Sequence, residues 1–146
     1  MFACANPIPE IWPWEAHEAG AAIVATGRSD FPNQVNNSLG FPGLFRGVLD
    51  VRARTISDEM CLAVAHELAD MAAATRLSPD YILPTMDEWD LFPREAAAAA
   101  AKAVEQGLAR KPLTYDQEYQ LASAIIKNAR DLTHTMMDEG FIEMTD

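Results

Sequence analysis

Two short apolar runs, each cut off by turn residues, constrain this chain more than any other feature. Met1-Phe2-Ala3-Cys4-Ala5 stops at Asn6-Pro7, and Ala21-Ala22-Ile23-Val24-Ala25 stops at Thr26-Gly27. Continuous apolar runs of this length fit strands of a parallel sheet covered on both faces, and the residues that end them mark where the chain leaves the sheet. The expectation is an α/β chain with two short parallel strands, near residues 2–5 and 22–25, separated by a helical turn at Trp14 to Ala19. Two strands do not make a full sheet, so the domain reads as incomplete. Open strand edges invite pairing with another chain, which makes a homo-oligomer the expected state unless helices cover the edges.

The remaining sequence reads as helix. Phe41, Leu44, Phe45, Val48 and Leu49 recur at helical spacing and share one face, with Pro42 in the first turn. Ser57 is a good cap, followed by Asp58 and Glu59 at the positive end of a helix whose buried stripe would be Met60, Val64, Leu68 and Met71. Tyr81 to Phe92, interrupted by Pro84, is irregular, and Pro93 opens an alanine-rich helix. Alanine is the strongest helix former and small enough for close helix contact, so its run reads as structural. Thr114 and Gln117 match a capping box, with Leu121, Ile125, Leu132 and Met136 on the buried side of the last helix. The spacing predicts helices over 42–53, 57–75, 93–109 and 115–138.

Composition excludes several partners. A chain of 146 residues with 49% hydrophobic residues has the size of one globular domain. Its net charge of −11 argues against nucleic acid and against an anionic membrane surface. The opening lacks a basic leader, and no window has the uninterrupted apolar length of a membrane span, so a cytoplasmic location is expected. Cys4 and Cys61 form no paired motif and read as reduced, buried thiols. His17, His66 and His134 are scattered, and Asp87, Glu88 and Asp90 lack calcium-loop spacing, so the former read as ordinary surface or core residues and the latter as a solvated loop. There is no GxGxxG, phosphate-loop, HExxH or GxSxG motif.

The stretch RSDFPNQVNNSLGFPG, residues 28 to 43, is longer than the roughly 4–6 residues of an ordinary connection. Together with FACANPIPEI, ATGRSDFPNQVNNSLGFPGLFRGVLDVRA and the helix that follows, it resembles the cofactor-binding domain of malic enzymes, in their shorter bacterial and archaeal form. The resemblance runs from Met1 to about Leu77 and more loosely to Pro112, which divides the chain into a 1–112 segment of the NAD(P)-binding domain and a 113–146 helical extension. It implies a Rossmann-like, doubly wound fold. It also implies a reaction in which malate is oxidised with NAD or NADP and decarboxylated to pyruvate, with a divalent metal, Mg or Mn.

By the same resemblance, Asn6 of the Asn-Pro motif reaches the malate and nicotinamide region, Asn36 of the paired asparagines contacts substrate, and Asn37 contributes beside it. An asparagine at the carboxyl edge of a parallel sheet offers a donor and an acceptor where such folds bind ligands, and Gly27 would let the backbone approach the cofactor. Each of these is also an ordinary turn residue taken singly; the matched segment as a whole favours the binding role. Arg28 and Asp30 would pair with each other or with neighbours, and Arg46 and Asp50 would form a solvated ion pair one helical turn apart. The tyrosine and lysine of proton transfer, the carboxylate metal ligands and the glycine-rich turn of the family have no matching positions, so no catalytic residue and no metal ligand is assigned here. The chain reads as the carboxyl-terminal part of a malic enzyme, an expressed fragment or a truncated gene product inactive alone, the alternative being a stand-alone helical binding or scaffold module.

Overall fold

A computed structural model describes residues 1–143. Strand β1 (Phe2–Ala3) pairs in parallel with β2 (Ala25–Thr26), with Phe2 opposite Ala25 and Ala3 opposite Thr26, and helix α1 (Pro13–Glu18) makes the crossover. A 3-10 turn at Asn37–Leu39 leads into α2 (Phe41–Asp50), followed by α3 (Asp58–Arg76), α4 (Leu91–Glu105) and α5 (Tyr115–Asp138). The expected parallel pair is present and the chain is mostly helical, but β1 keeps only Phe2 and Ala3 of its apolar run, and β2 lies at the end of its run rather than over 22–25, taking in Thr26, the residue read as its stop, because Thr26 is the partner opposite Ala3. Ala3 is buried, whereas Phe2 on the opposite face is 64% exposed, so this chain covers one face of its own sheet at that edge. Residues 144–146, the end of the expected extension, lie outside the described residues.

Local signals place the helix ends. The Ser57 hydroxyl accepts from the Met60 N–H at 3.2 Å, and Thr114 and Gln117 cap each other reciprocally. Helix α4 begins at Leu91, two residues before the expected Pro93. Proline is tolerated there because the first N–H groups of a helix have no intrahelical acceptor. The same helix stops at Glu105 rather than 109, since Gly107 adopts a left-handed backbone (φ 67°). Arg52, also left-handed at φ 51°, follows the end of α2.

Helix α4 is the centre, packed against α2, α3 and α5. Ala96, Ala97, Ala99, Ala100 and Ala103 are all fully buried, which bears out the structural reading of the alanine run. The face that α2 turns toward it departs from expectation. Phe45 and Leu49 are 48% and 66% exposed and Phe41 is exposed as well, while Gly43 and Gly47 are buried. A Cβ on Gly47 would sit 3.0 Å from the Ala96 carbonyl carbon and closer still to its oxygen. Backbone meets backbone at this seam, so the small residues set the contact and the aromatic stripe is rotated outward. Leu44 and Val48 flank the seam and pack on Val51, Met60, Ala100 and Ala103.

Helix α5 departs in the same way. Leu121, Ile125, Leu132 and Met136 are exposed, and the buried residues are Glu118 and Ala122. Ala122 is small enough to approach α4 closely, and from Lys127 to Met136 every residue is exposed. Helix α3 keeps its expected face, with Met60 and Val64 buried and Leu68 and Met71 half-buried. Cys4 and Cys61 are free but exposed rather than buried: Cys4 lies just past the strand end, and Cys61 is on the outer side of α3, next to the buried Met60.

Two carboxyl groups lie within this bundle. Glu95 on α4 is fully buried against Gly43, and neither of its oxygens has a hydrogen-bond partner. Burial, with a smaller contribution from the charge of Glu67, pushes it up to about 9. Glu118 is also buried and is raised to about 8 by burial and then by Asp50, although no hydrogen bond of ordinary geometry joins the two. Asp50, paired with Arg46, has a side chain only 10% exposed, so this pair is not the solvated one expected from spacing.

Two outcomes follow from this packing. Gly47→Ala drives a methyl into the α4 backbone and is expected to destabilise the chain by about 1–3 kcal/mol, the usual range for overpacking, measured by urea unfolding. Glu95 has a folded pKa above its unfolded one, so its stabilising contribution is complete below the unfolded value near 4.5 and is lost as pH rises toward about 9. Unfolding free energy should therefore fall across that window, and Glu95→Gln should flatten the slope; an unchanged slope in the variant would place the titration elsewhere.

Candidate functional site

Parallel sheets leave a crevice at the carboxyl ends of their strands, and both candidate loops emerge there. Asn6 follows β1 by three residues and Gly27 follows β2 directly. The long stretch after β2 folds back on it: the Val35 N–H donates to the Thr26 carbonyl at 2.7 Å, and Gln34 bridges to Thr26 in parallel. Asn33 pins the middle. It adopts a left-handed backbone (φ 56°), and its buried amide donates to the carbonyls of Val24 (3.0 Å) and Pro79 (2.7 Å) while accepting from the Ile82 N–H (2.9 Å). The stretch is long because it must leave the sheet, reach the 79–82 segment and return.

Asn6, Gly27 and Asn36 come together in one open cleft of about 500 Å³, which Pro7, Arg28 and Asp30 also line. The Asn36 carboxamide oxygen accepts from the Ser38 N–H at 3.0 Å, capping the 3-10 turn. Its amide nitrogen has no hydrogen-bond partner among the described residues, so the side chain serves the turn with one end and is free to donate with the other. Asn37 is exposed, opens the 3-10 turn and does not line the cleft. A Cβ on Gly27 would meet the Cys4 carbonyl at 3.5 Å, an ordinary contact, so the fold of this chain does not require glycine there.

Arg28 and Asp30 form a bidentate pair, with Nε on Oδ1 at 2.8 Å and Nη2 on Oδ2 at 2.7 Å. The guanidinium holds the Asp30 carboxyl below its ordinary range, and Asp30 raises Arg28 in turn. The remaining terminal nitrogen, Nη1, donates to the Pro7 carbonyl at 3.0 Å, and the group lies 5.7 Å from the ring of Trp12 and 5.8 Å from that of Phe31. In the loop after β1, Glu10 accepts from the Ala5 N–H at 3.1 Å, which holds its carboxyl low.

This donor set can orient a polar ligand. No lysine, tyrosine or histidine lines the cleft, and among the described residues no three of His, Cys, Asp and Glu gather where they could hold a metal ion. His17 is occupied with the Ala21 carbonyl at 2.9 Å. A second cleft of about 480 Å³ lies on the other side of the loop, beside Asn33, Arg76 and Tyr81. There Arg76 packs over the Tyr81 ring at 5.3 Å and the Tyr81 hydroxyl donates to Glu88 at 2.7 Å, so these two side chains serve the fold. The same bond takes Glu88 out of the acidic loop as a free carboxylate.

The family description "Malic enzyme, NAD binding domain" matches residues 19–106. This chain belongs to the malic enzyme family. It is 52% identical over 118 residues to the bifunctional malic/malolactic enzyme of Bacillus subtilis, a match that covers 81% of this chain and 28% of that protein. It is 46% identical over 136 residues to the NADP-dependent malic enzyme of Halomonas elongata, covering 83% of this chain and 32% of the other. In three dimensions it is similar to the malic enzyme of Entamoeba histolytica, with a TM-score of 0.94 and 51% identity over 99% of this chain and 30% of that one. The Pyrococcus horikoshii malic enzyme gives a TM-score of 0.87 at 43% identity, over 94% of this chain and 31% of that one. The chain thus spans about 30% of the length of these four malic enzymes and 17% of that of longer ones, such as the NADP-dependent malic enzyme of Escherichia coli.

Asn33, which holds the loop between the two clefts, and the Arg28–Pro7 bond escaped the sequence reading. Asn33 had a signal, since an asparagine after proline in a long loop often marks a left-handed position with side-chain bonds to nearby backbone. The bond to Pro7 had none, because it joins residues 21 positions apart.

Proposed function

We propose that this chain contributes the substrate-orienting amides of a malic enzyme that oxidises malate with NAD or NADP and decarboxylates the product to pyruvate. The observation that carries the reading is the meeting of Asn6 and Asn36 in one cleft at the strand ends, with the Asn36 amide nitrogen uncommitted. Amide donors there would bind a malate carboxylate without adding charge and hold the hydroxyl-bearing carbon toward the nicotinamide. When bound, the cofactor would supply the hydride acceptor, and Gly27 would let the backbone approach it. The Mg or Mn ion of the reaction has no ligand set among the described residues. Residues 1–112 would form the cofactor-domain segment and 113–146 a helical extension. The exposed Phe2 and the exposed faces of α2 and α5 would suit assembly into a larger homo-oligomer.

The test uses a full-length malic enzyme bearing this segment. Asn6→Ala and Asn36→Ala should each lower kcat/KM for malate by roughly 5- to 150-fold, the equivalent of about 1–3 kcal/mol for an unpaired polar group in a desolvated site, with little change in Tm for Asn6→Ala and a modest drop for Asn36→Ala, which also loses the cap on Ser38. Asn36→Asp should raise KM further than alanine does, because a carboxylate repels malate. Unaltered malate kinetics in these variants, with only Tm lowered, would reduce both asparagines to turn residues. Purified alone, the 146-residue chain should give no malate-dependent cofactor reduction, since the Asp30 carboxylate that lines its cleft is gripped at both oxygens by Arg28 and held low, which makes it a poor base for the malate hydroxyl proton.

A further inference from the structure

We infer that Arg28 is the positioning residue for Asn6, acting as a strut between the two loops that form the cleft; the inference rests on the reading of Asn6 given above. Sheet pairing in this chain is brief, with two residues per strand in register, so it cannot by itself fix how the loops beyond the strand ends face each other. Among the described residues, the side-chain hydrogen bond that joins the loop after β1 to the loop after β2 runs from Arg28 Nη1 to the Pro7 carbonyl. Pro7 directly follows Asn6. Holding its carbonyl holds the peptide unit next to the one that carries the Asn6 side chain.

The guanidinium is itself held. Asp30 takes Nε and Nη2 in a two-point grip that sets the plane of the fork and leaves Nη1 facing Pro7. Trp12 and Phe31 flank the group at 5.7 and 5.8 Å. Every guanidinium nitrogen thus has a partner within the protein, which suits a strut better than a direct ligand of a substrate carboxylate. Lysine could carry the charge but could not make the planar two-point grip and the third bond together.

Exposure separates positioning from simple stabilisation. The Arg28 and Asp30 side chains are 33% and 53% exposed, and ion pairs so accessible contribute little to folding. Their loss should therefore be felt in the placement of Asn6 much more than in the stability of the chain.

The experiment is a double-mutant cycle on malate kcat/KM in a full-length malic enzyme bearing this segment, with Arg28→Lys and Asp30→Asn each made alone and on top of Asn6→Ala. Alone, each should lower kcat/KM about tenfold or more, as misplacement of an orienting group does, with Tm close to that of the unaltered enzyme. On the Asn6→Ala background each should add almost nothing, because the side chain being positioned is gone. Full additivity would overturn the inference by showing that Arg28 acts independently of Asn6, and so would unchanged kinetics in the Arg28→Lys and Asp30→Asn single variants. Failure of both variants to fold would overturn it too, since the pair would then be structural. If Asn6→Ala by itself is silent, the assignment of Asn6 to substrate fails and the strut role fails with it; an impaired Asn6→Ala beside additive Arg28 effects sinks the strut alone.

Discussion

The near-contact of α2 and α4 backbones at Gly43, Gly47 and Ala96 is the constraint on which the rest of the chain depends. Helix axes come this close only where side chains are absent or reduced to a methyl, and that closeness fixes the rotation of α2. Once α2 is set, Leu44, Val48 and Val51 fall onto the core with Met60, Ala100 and Ala103. The helix also begins at Phe41, immediately after the 3-10 turn that Asn36 caps and Leu39 anchors in the interior. The helix seam and the cleft are therefore parts of one mechanical unit, with the packing of α4 setting one end of the loop and β2 the other.

Between those ends the loop is held by polar bonds rather than by apolar burial. Asn33 satisfies two carbonyls and one N–H from segments distant in sequence, and Arg28 reaches across to the Asn6-Pro7 turn. Directional bonds suit a site wall because they specify distance and angle, whereas apolar contact specifies only proximity. The resulting cleft carries amides and a neutralised ion pair, a chemistry of orientation. Among the described residues, no three metal-ligating side chains gather in one place.

The bundle also bears features that a self-sufficient domain would minimise. Glu95 and Glu118 are buried without hydrogen bonds, and burial raises both carboxyls, which favours the uncharged form that such a site penalises less. Phe41, Phe45, Leu49, Leu121, Ile125 and Leu132 form exposed apolar faces on two neighbouring helices. Small residues at the helix contacts and large ones outside are the reverse of the pattern a simple amphipathic reading assumes.

That reversal marks the boundary between what could be read in the sequence and what could not. The order of elements, the parallel pair, the caps at Ser57 and Thr114, the structural alanine run and the family were legible, because strand breakers, capping residues and a long matched motif act locally or are spelled out in order. Asn6, Gly27 and Asn36 could likewise be nominated from the matched segment, and tertiary structure brought them to one cleft while leaving Asn37 outside it. The buried faces of α2 and α5 were not legible. Periodicity ranks residues by hydrophobicity, and at these seams the close approach of backbones outweighed side-chain size, so glycine and alanine went inward. The Arg28–Pro7 bond and the three bonds of Asn33 join positions separated by 9 to 49 residues. Local sequence determined which segments would be strand, helix and loop; only the folded chain decided which of their polar groups would meet, because that depends on distances set by packing elsewhere.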